Sequence, residues 1–215
     1  MKKEKDIEEI RRLFFTEELR KSKVDANPFK QFLKWFNQAV DSEILEPTAM
    51  ILSTTGKRGV PSVRTILLKG FDEEGFVFFT NYKSSKAKDL AENPYAEALF
   101  LWKELERQVR ISGRVKKISR QQSEDYFKTR QYESKIGAWA SEQSKVISSR
   151  EFLDQKYIEY LKKYPDENVP MPEYWGGLKL FPGKFEFWQG RKHRLHDRIR
   201  YIKKKYKWKI ERLSP

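Results

Sequence analysis

The spacing of apolar residues divides the chain into a helical start, a run of short strands, a helical middle and a strand-rich end. Over residues 6–20, Ile7, Ile10 and Phe14 recur at helical intervals and predict a first helix. Residues 21–27 are polar and read as a linker. Asn27-Pro28 then opens a second helix, with Asn as the cap and Pro in the first turn; Phe29, Phe32, Leu33, Phe36 and Val40 form its apolar stripe. From Thr48 the period shortens. Met50-Ile51-Leu52-Ser53-Thr54 reads as a strand, Gly56-Lys57-Arg58-Gly59 as a hairpin turn, and residues 63–68 as the returning strand. Asp72-Glu73-Glu74-Gly75 turns the chain into a third strand, Phe76-Val77-Phe78-Phe79-Thr80. Strands joined by such short turns predict an antiparallel meander and argue against βαβ units.

Residues 84–92 predict a short helix stopped by Asn93-Pro94, and residues 95–102 and 107–118 another strand pair, with Gly113 at a bulge or bend. Ser119 through Gln122 is a capping box that opens a helix reaching about residue 130, and a further helical pattern covers about 141–163. Pro165, Pro170 and Pro172 mark an irregular passage, after which 178–181, 185–188, 194–201 and 208–213 read as strands. The expected fold is mainly β with packed helices (α+β), an antiparallel barrel, closed or split, with helices outside. Residues 1–26 are expected to be an N-terminal helical segment and linker, and residues 27–215 a single domain.

Composition narrows the setting. Hydrophobic residues make up 38% and aromatics 14% of the chain, enough for a packed core, so wholesale disorder is excluded. There is no cysteine, which excludes disulfides and thiolate chemistry and fits a reducing compartment. No apolar run approaches the roughly 18 residues of a membrane span, and Met1-Lys-Lys-Glu-Lys-Asp lacks a signal peptide's apolar segment. A soluble cytoplasmic protein is expected. The formal net charge of +14 suits nucleic acid, a membrane surface or phosphorylated substrates. The lysines are scattered, however, apart from clusters such as Lys203-Lys204-Lys205 at an expected turn, and no nucleic-acid-binding motif accompanies them.

Candidate chemistry concentrates in the stretch from Trp188 to Arg198, which holds both histidines. If a strand begins at Arg194, then Arg194, His196 and Arg198 share one face, opposite Leu195 and Asp197. Two guanidinium groups and an imidazole would cradle an anionic ring compound, and a solvated basic hairpin is the competing reading. Arg64 and Lys69 fall on opposite faces of a regular strand, unless the strand's end at Gly70 brings Lys69 back. Thr80 through Lys86 supplies hydroxyls, lysines and a helix N-terminus, which suit a phosphate or simple capping. Tyr126 and Arg130, four apart, are neighbours on a helix face and with Ser134 could hold a phosphate monoester or belong to a solvated surface. Gln143-Ser144, at the expected start of the next helix, would donate to a ligand or cap. No metal site is expected, because two histidines without clustered carboxylates are too few ligands. Nucleophile-elbow, Walker and dinucleotide fingerprints are missing as well.

Arg64-x-x-x-Leu68-Lys69, Phe79-Thr80-Asn81, Leu105-Glu106-Arg107-Gln108-Val109, Ile136-Gly137-Ala138-Trp139-Ala140-Ser141-x-Gln143-Ser144, and Glu186-Phe187-Trp188-Gln189-Gly190 through Arg194-Leu195-His196-Asp197-Arg198 occur in an order and spacing that resemble the pyridoxine/pyridoxamine 5′-phosphate oxidase family. The resemblance runs from about residue 7 to Pro215. It implies an FMN-binding split β-barrel that works as a homodimer with FMN at the interface. It also implies FMN-dependent oxidation of pyridoxamine and pyridoxine 5′-phosphate to pyridoxal 5′-phosphate, with molecular oxygen as acceptor and peroxide as by-product. Carried over by motif, Arg64, Thr65, Ile66, Leu67, Leu68, Lys69, Phe79, Thr80, Ser85, Lys86, Gln108, Gln143, Ser144, Trp188 and Arg198 would bind FMN. Arg11, Lys69, Tyr126, Arg130, Ser134, Arg194, Leu195 and His196 would hold the substrate, with Arg194 and His196 at the reacting pyridine ring. Ser85 departs from the family, which usually has a second arginine there, and weaker FMN retention is expected. Phe14 stands for a tyrosine in a segment thought to close over substrate, and Arg191-Lys192 make the loop more basic than the pattern requires. A split-barrel flavin oxidase of the phenazine-biosynthesis type, a non-catalytic pyridoxal phosphate carrier and a basic nucleic-acid binder are the alternatives.

Overall fold

The computed structural model describes residues 18–215. Arg11, Phe14 and most of the helix expected over 6–20 fall outside the described residues, and 18–20 are irregular. The strands are β1 (Ala49–Thr55), β2 (Pro61–Leu67), β3 (Gly70–Phe71), β4 (Phe76–Asn81), β5 (Tyr95–Trp102), β6 (Arg107–Lys117), β7 (Trp175–Gln189), β8 (Asp197–Lys204) and β9 (Lys207–Leu213). They hydrogen-bond in the order β2-β1-β5-β6-β7-β4-β3, with β8 on β7 and β9 on β8. The chain divides into two compact units, one of 48–98 with 112–183, the other of the chain up to Pro47 with 99–111 and 184–215.

The unit of 48–98 and 112–183 starts with the predicted hairpin, in which β1 and β2 pair antiparallel from Ala49↔Leu67 to Thr55↔Pro61. Gly59 takes φ +74° in its turn, the left-handed region that glycine enters without a Cβ penalty. Met50, Leu52 and Thr54 alternate into the interior along β1. The turn before β4 is closed by the Asp72 carboxylate, which accepts the backbone N–H groups of Glu74 and Gly75. Helix α2 (Ser85–Glu92) ends as predicted before Pro94, and α3 (Arg120–Lys128) opens with the capping box of Ser119 and Gln122.

Two expectations fail in the helical middle. Helix α4 (Tyr132–Ala140) was not predicted; it carries a glycine, Gly137, near its centre, which weakens the helical signal. The helix expected from about 141 begins only at Arg150, as α5 (Arg150–Lys163), capped by the Ser149 hydroxyl. Serines at 141, 144, 148 and 149 and the β-branched Val146 and Ile147 disfavour helix there, and Ser144 sits at φ 71°. The strands expected at 178–181 and 185–188 are one strand, β7. Pro182 and Gly183, between the two expected strands, lie within it. Gly113 is required opposite this point, because a Cβ there would meet the Phe181 carbonyl oxygen at 2.0 Å.

The other unit is packed by aromatic rings. Helix α1 (Pro28–Asp41) is capped by the Asn27 side chain, as expected, and buries Phe29, Phe32, Trp35 and Ala39. Leu33 and Val40, placed on the apolar stripe by sequence, are 45% and 48% exposed. Phe32 meets Phe100 edge-on at 5.0 Å, Phe29 meets Phe185 at 5.2 Å, and Trp35 meets Phe187 at 5.3 Å. Such edge-to-face pairs add about 0.5–1.5 kcal/mol each beyond the area they bury. Lys205, at φ 44°, turns β8 into β9 as expected.

Candidate active site

The unit of 48–98 and 112–183 contains a cavity of about 590 Å³ whose walls come from β2, β4, the start of α2, α3 and the 141–149 loop. Strand β2 ends at Leu67, so Lys69 escapes strand alternation and lines the same cavity as Arg64. Thr65, Ile66 and Leu67 line it as well, whereas Leu68 is buried and donates its backbone N–H to Thr48. Arg64 is half-buried and held by Thr54, Ser62 and the Leu52 carbonyl.

A second group of polar residues surrounds the start of α2. The Lys86 ammonium donates to Thr80 Oγ1 at 3.2 Å and Gln143 Oε1 at 3.0 Å, and the Thr80 hydroxyl donates to Gln143 Oε1 at 3.1 Å. Lys86 is buried, and burial followed by repulsion from Arg64 lowers its pKa. Ser84, the N-cap of α2, makes no side-chain capping bond. The helix therefore keeps donors at its positive end, and the Ser85 N–H meets only Ser144 Oγ, at 3.3 Å. Gln143 and Ser144 lie in the loop before α5, not on a helix as expected, and the left-handed backbone of Ser144 carries its hydroxyl to Ser85.

Aromatic side chains build the opposite wall. Tyr126 stacks on Phe79 at 3.8 Å and 11°, and Phe79 stacks on Trp175 at 5.2 Å and 9°. The Arg130 guanidinium lies 4.7 Å from the Trp175 ring centre and donates from Nη2 to the Ser134 carbonyl. Its Nε is buried with no hydrogen-bond partner, and burial lowers its pKa. Helix α3 stops at Lys128, so Arg130 reaches the cavity from beyond the helix and not from the helical face assumed in sequence. Ser134, on α4, supports Arg130 through its carbonyl and is not a cavity wall.

The stretch from Trp188 to Arg198 belongs to the other unit. Strand β8 begins at Asp197, after a 3-10 turn at Lys192–Arg194 with left-handed φ at His193 (58°) and Arg194 (59°). Arg194, His196 and Arg198 therefore do not share a strand face, contrary to the expectation. The turn is imposed by polar anchors: Asp197 accepts the Leu19 N–H at 3.0 Å and pairs with Arg212, and Arg191 pairs with Glu18 at 3.2 Å. His196 Nδ1 accepts the backbone N–H of Arg191 at 3.1 Å, and its ring packs 4.6 Å from Trp188. Burial and then Arg194 lower the His196 pKa. Arg194 and Leu195 are exposed. Arg198 donates from Nε to Glu186 at 2.8 Å and from Nη1 to the Ser214 carbonyl, and Gln108 lies half-buried on β6.

Residues 36–163 match the pyridoxamine 5′-phosphate oxidase family, and residues 175–215 match the pyridoxine 5′-phosphate oxidase C-terminal dimerisation region. A pyridoxine/pyridoxamine 5′-phosphate oxidase from Nostoc sp. is 51% identical over 213 residues, 99% of this chain and 100% of that protein. The chain belongs to the pyridoxine/pyridoxamine 5′-phosphate oxidase family. An Aliarcobacter butzleri member is 52% identical over 211 residues, covering 98% of this chain and 100% of its own. At 29% identity, PhzG from Burkholderia lata 383, solved in complex with tetrahydrophenazine-1-carboxylic acid, matches with a TM-score of 0.86 over 90% of this chain and 95% of that one. A pyridoxamine 5′-phosphate oxidase-related FMN-binding protein from Nostoc punctiforme shares the fold at a TM-score of 0.70 and 18% identity, over 87% of this chain and 98% of that one. The chain is thus an enzyme of the oxidase family with the split-barrel fold, as the motifs implied. Among its described residues no helix is long and apolar enough to cross a membrane.

Reading this oxidase from motifs alone overlooks Ser62 as a cavity wall and the pair Thr54–Asp89 behind Arg64. One signal was present: Thr54 is a polar residue on the inward face of β1, in line with Met50 and Leu52.

Proposed function

We propose that this chain catalyses FMN-dependent oxidation of pyridoxamine and pyridoxine 5′-phosphate to pyridoxal 5′-phosphate, with oxygen as acceptor and peroxide as by-product. The observation that carries the proposal is a surplus of half-buried and buried cations in one cavity. Lys86 and Arg64 lie close enough to depress the Lys86 pKa, and Arg130 has a buried Nε without an acceptor. Desolvated cations of this kind call for phosphate oxygens, and the donors at the start of α2 fit the same anion. The donor set therefore suits a phosphorylated flavin beside a phosphorylated ring.

In this reading Arg64, Lys86, Thr80, Ser85, Gln143 and Ser144 hold the flavin phosphate and its neighbourhood. Thr65, Ile66, Leu67, Lys69 and Phe79 bind along the rest of the cofactor, and Leu68, Gln108, Trp188 and Arg198, which do not line the cavity, contribute as the family resemblance implies. Lys69, Tyr126 and Arg130 hold the substrate phosphate, with Ser134 supporting Arg130. Tyr126 is suited to this, because stacking on Phe79 fixes its ring and so directs its hydroxyl. Arg194 covers the pyridine ring, Leu195 packs beside it, and His196 hydrogen-bonds the ring oxygen. Arg11 would act from the N-terminal segment. FMN, when bound, supplies the two-electron acceptor for the substrate's C4′, and the protein's share is orientation and exclusion of water. The match to a dimerisation region supports a homodimer, and FMN at its interface is what the family resemblance implies. Residues 27–215 act as one functional domain in this proposal, in the cytoplasm.

The test is the purified full chain with FMN, pyridoxamine 5′-phosphate and air, followed by absorbance of the aldehyde product. Turnover is expected. FMN bound without product formation would overturn the proposed reaction, and turnover of a phenazine precursor in its place would assign the chain to the PhzG-like chemistry.

A further inference from the structure

Arg64 is the most elaborately held cation of the cavity, and two of the residues behind it are not cavity walls. Its Nη1 donates to the Leu52 carbonyl at 3.2 Å and to Thr54 Oγ1 at 2.7 Å, and its Nη2 donates to Ser62 Oγ at 2.6 Å. Thr54 is 1% exposed, and its hydroxyl donates in turn to Asp89 Oδ2 at 2.7 Å. A hydroxyl has one proton to give. Because a carboxylate takes it, the lone pairs of Thr54 are left facing Arg64. Asp89 itself comes no nearer to Arg64 than 3.9 Å, so it steers the guanidinium through Thr54 without occupying its donors. Three of the five N–H groups of a guanidinium are thereby used. The two that remain, one on Nε and one on Nη2, can donate to phosphate oxygens.

The support is fixed from the other side as well. The Lys57 N–H donates to Glu92 Oε2 at 2.9 Å, and a Cβ at Gly56 would meet Glu92 Oε2 at 2.9 Å and Asp89 Oδ1 at 3.3 Å. The hairpin turn between β1 and β2 thus rests against the acidic face of α2, which leaves Asp89 little room to rotate.

We infer that Thr54 and Asp89 are positioning residues for the phosphate of the bound flavin: Asp89 orients the Thr54 hydroxyl, and Thr54 fixes Arg64 in the wall of the cavity. The inference rests on the flavin phosphate reading above. It predicts an effect confined to the phosphate group, whereas a residue that merely stabilises the hairpin would affect every flavin alike.

The experiment is a fluorescence titration of the full chain, stripped of flavin, with FMN and with riboflavin, which lacks the phosphate. The wild-type chain, Thr54→Val, Thr54→Ser and Asp89→Asn are compared. Thr54→Val is expected to weaken FMN about tenfold and riboflavin by less than about twofold, the loss of one hydrogen bond to a charged group. Thr54→Ser, which keeps the hydroxyl, should stay within about twofold of wild type for both ligands, and Asp89→Asn should weaken FMN about threefold, since its amide oxygen still accepts the hydroxyl proton but carries no charge. An FMN-to-riboflavin affinity ratio that is unchanged in both Thr54→Val and Asp89→Asn would overturn the inference, and the latter variant decides alone if the former does not fold. A wild-type chain with no preference for FMN over riboflavin would instead overturn the underlying reading.

Discussion

The cavity behind β2 and the turn at Lys192–Arg194 are both rich in cations, but they are built on opposite principles. In the cavity two of the cations are aimed by partners from other elements: Lys86 and Gln143 are 57 residues apart, and Arg64 and Leu52 are 12 apart. Burial has a cost there, visible in the lowered pKa values of Arg64, Lys86 and Arg130. In the turn the anchors lie at the ends, on Arg191 and Asp197, while Arg194 is exposed on a left-handed backbone. The contrast teaches where affinity and turnover should reside. Fixed, desolvated cations are repaid whenever an anion is present, so they should dominate cofactor binding. An exposed guanidinium is ordered only with its ligand, so it should contribute to the reacting complex and little to cofactor retention.

The largest expected effect comes from the cavity. Replacing Lys86 with methionine removes a buried cation of the cavity while keeping an unbranched side chain of similar length. FMN affinity should fall about 100-fold, as for truncation of a buried, hydrogen-bonded charge. The thermal midpoint of the flavin-free protein should hold or rise, because a desolvated ammonium beside Arg64 costs stability when no anion is bound. Fluorescence titration and thermal unfolding of the stripped protein check both halves. An FMN loss under about threefold would show that Lys86 is not the preorganised anion partner the cavity suggests.

The turn should respond differently. Arg194→Ala is expected to lower kcat/KM about 30-fold, the loss of a hydrogen bond to a charged group and its stacking, with FMN affinity within about twofold of wild type. Steady-state kinetics alongside the titration measure the two quantities. Equal losses in both would erase the distinction between the regions.

The same contrast explains what could be read from sequence. The β1–β2 hairpin, the capping box of α3 and the Asn27-Pro28 start of α1 rest on neighbouring residues, and the fold has them. The expected meander stops there, because β4 pairs with β3 and with the distant β7 and not with β2. The return of Lys69 to the side of Arg64 was foreseeable, since a strand that ends frees the next residue from alternation. Strand β7 was read as two strands, whereas it runs on through Pro182 and Gly183, where the Phe181 carbonyl closely approaches Gly113. The strand expected from Arg194 failed for a related reason. Asp197 is tied to Leu19 and Arg212, contacts 178 and 15 residues away that no local pattern reveals. The bond from Arg64 through Thr54 to Asp89 is hidden in the same way, since it spans β2, β1 and α2. The family motifs pointed to most of the residues that face the cavity, missed Ser62 and Val63, and were silent about Thr54 and Asp89, which stand behind Arg64.

The smallest effect expected is a pH dependence of stability that belongs to the turn. His196 has a pKa below its ordinary 6.5, first because of burial and then because of Arg194. Its Nδ1 accepts the Arg191 N–H, a bond that protonation of that nitrogen would break. The folded protein therefore takes up this proton less readily than the unfolded chain. The contribution to stability is complete above pH 6.5 and is lost as pH falls through the lowered folded value. Urea unfolding at several pH values should show a midpoint that declines below neutrality, and His196→Gln should flatten part of that decline. Arg194→Ala should flatten it as well, by a smaller amount, because it removes only the second of the two causes. Identical pH profiles for wild type and His196→Gln would mean that the imidazole is as solvated in the folded protein as in the unfolded chain. The turn would then be a flexible basic loop, with no histidine held ready in its neutral form.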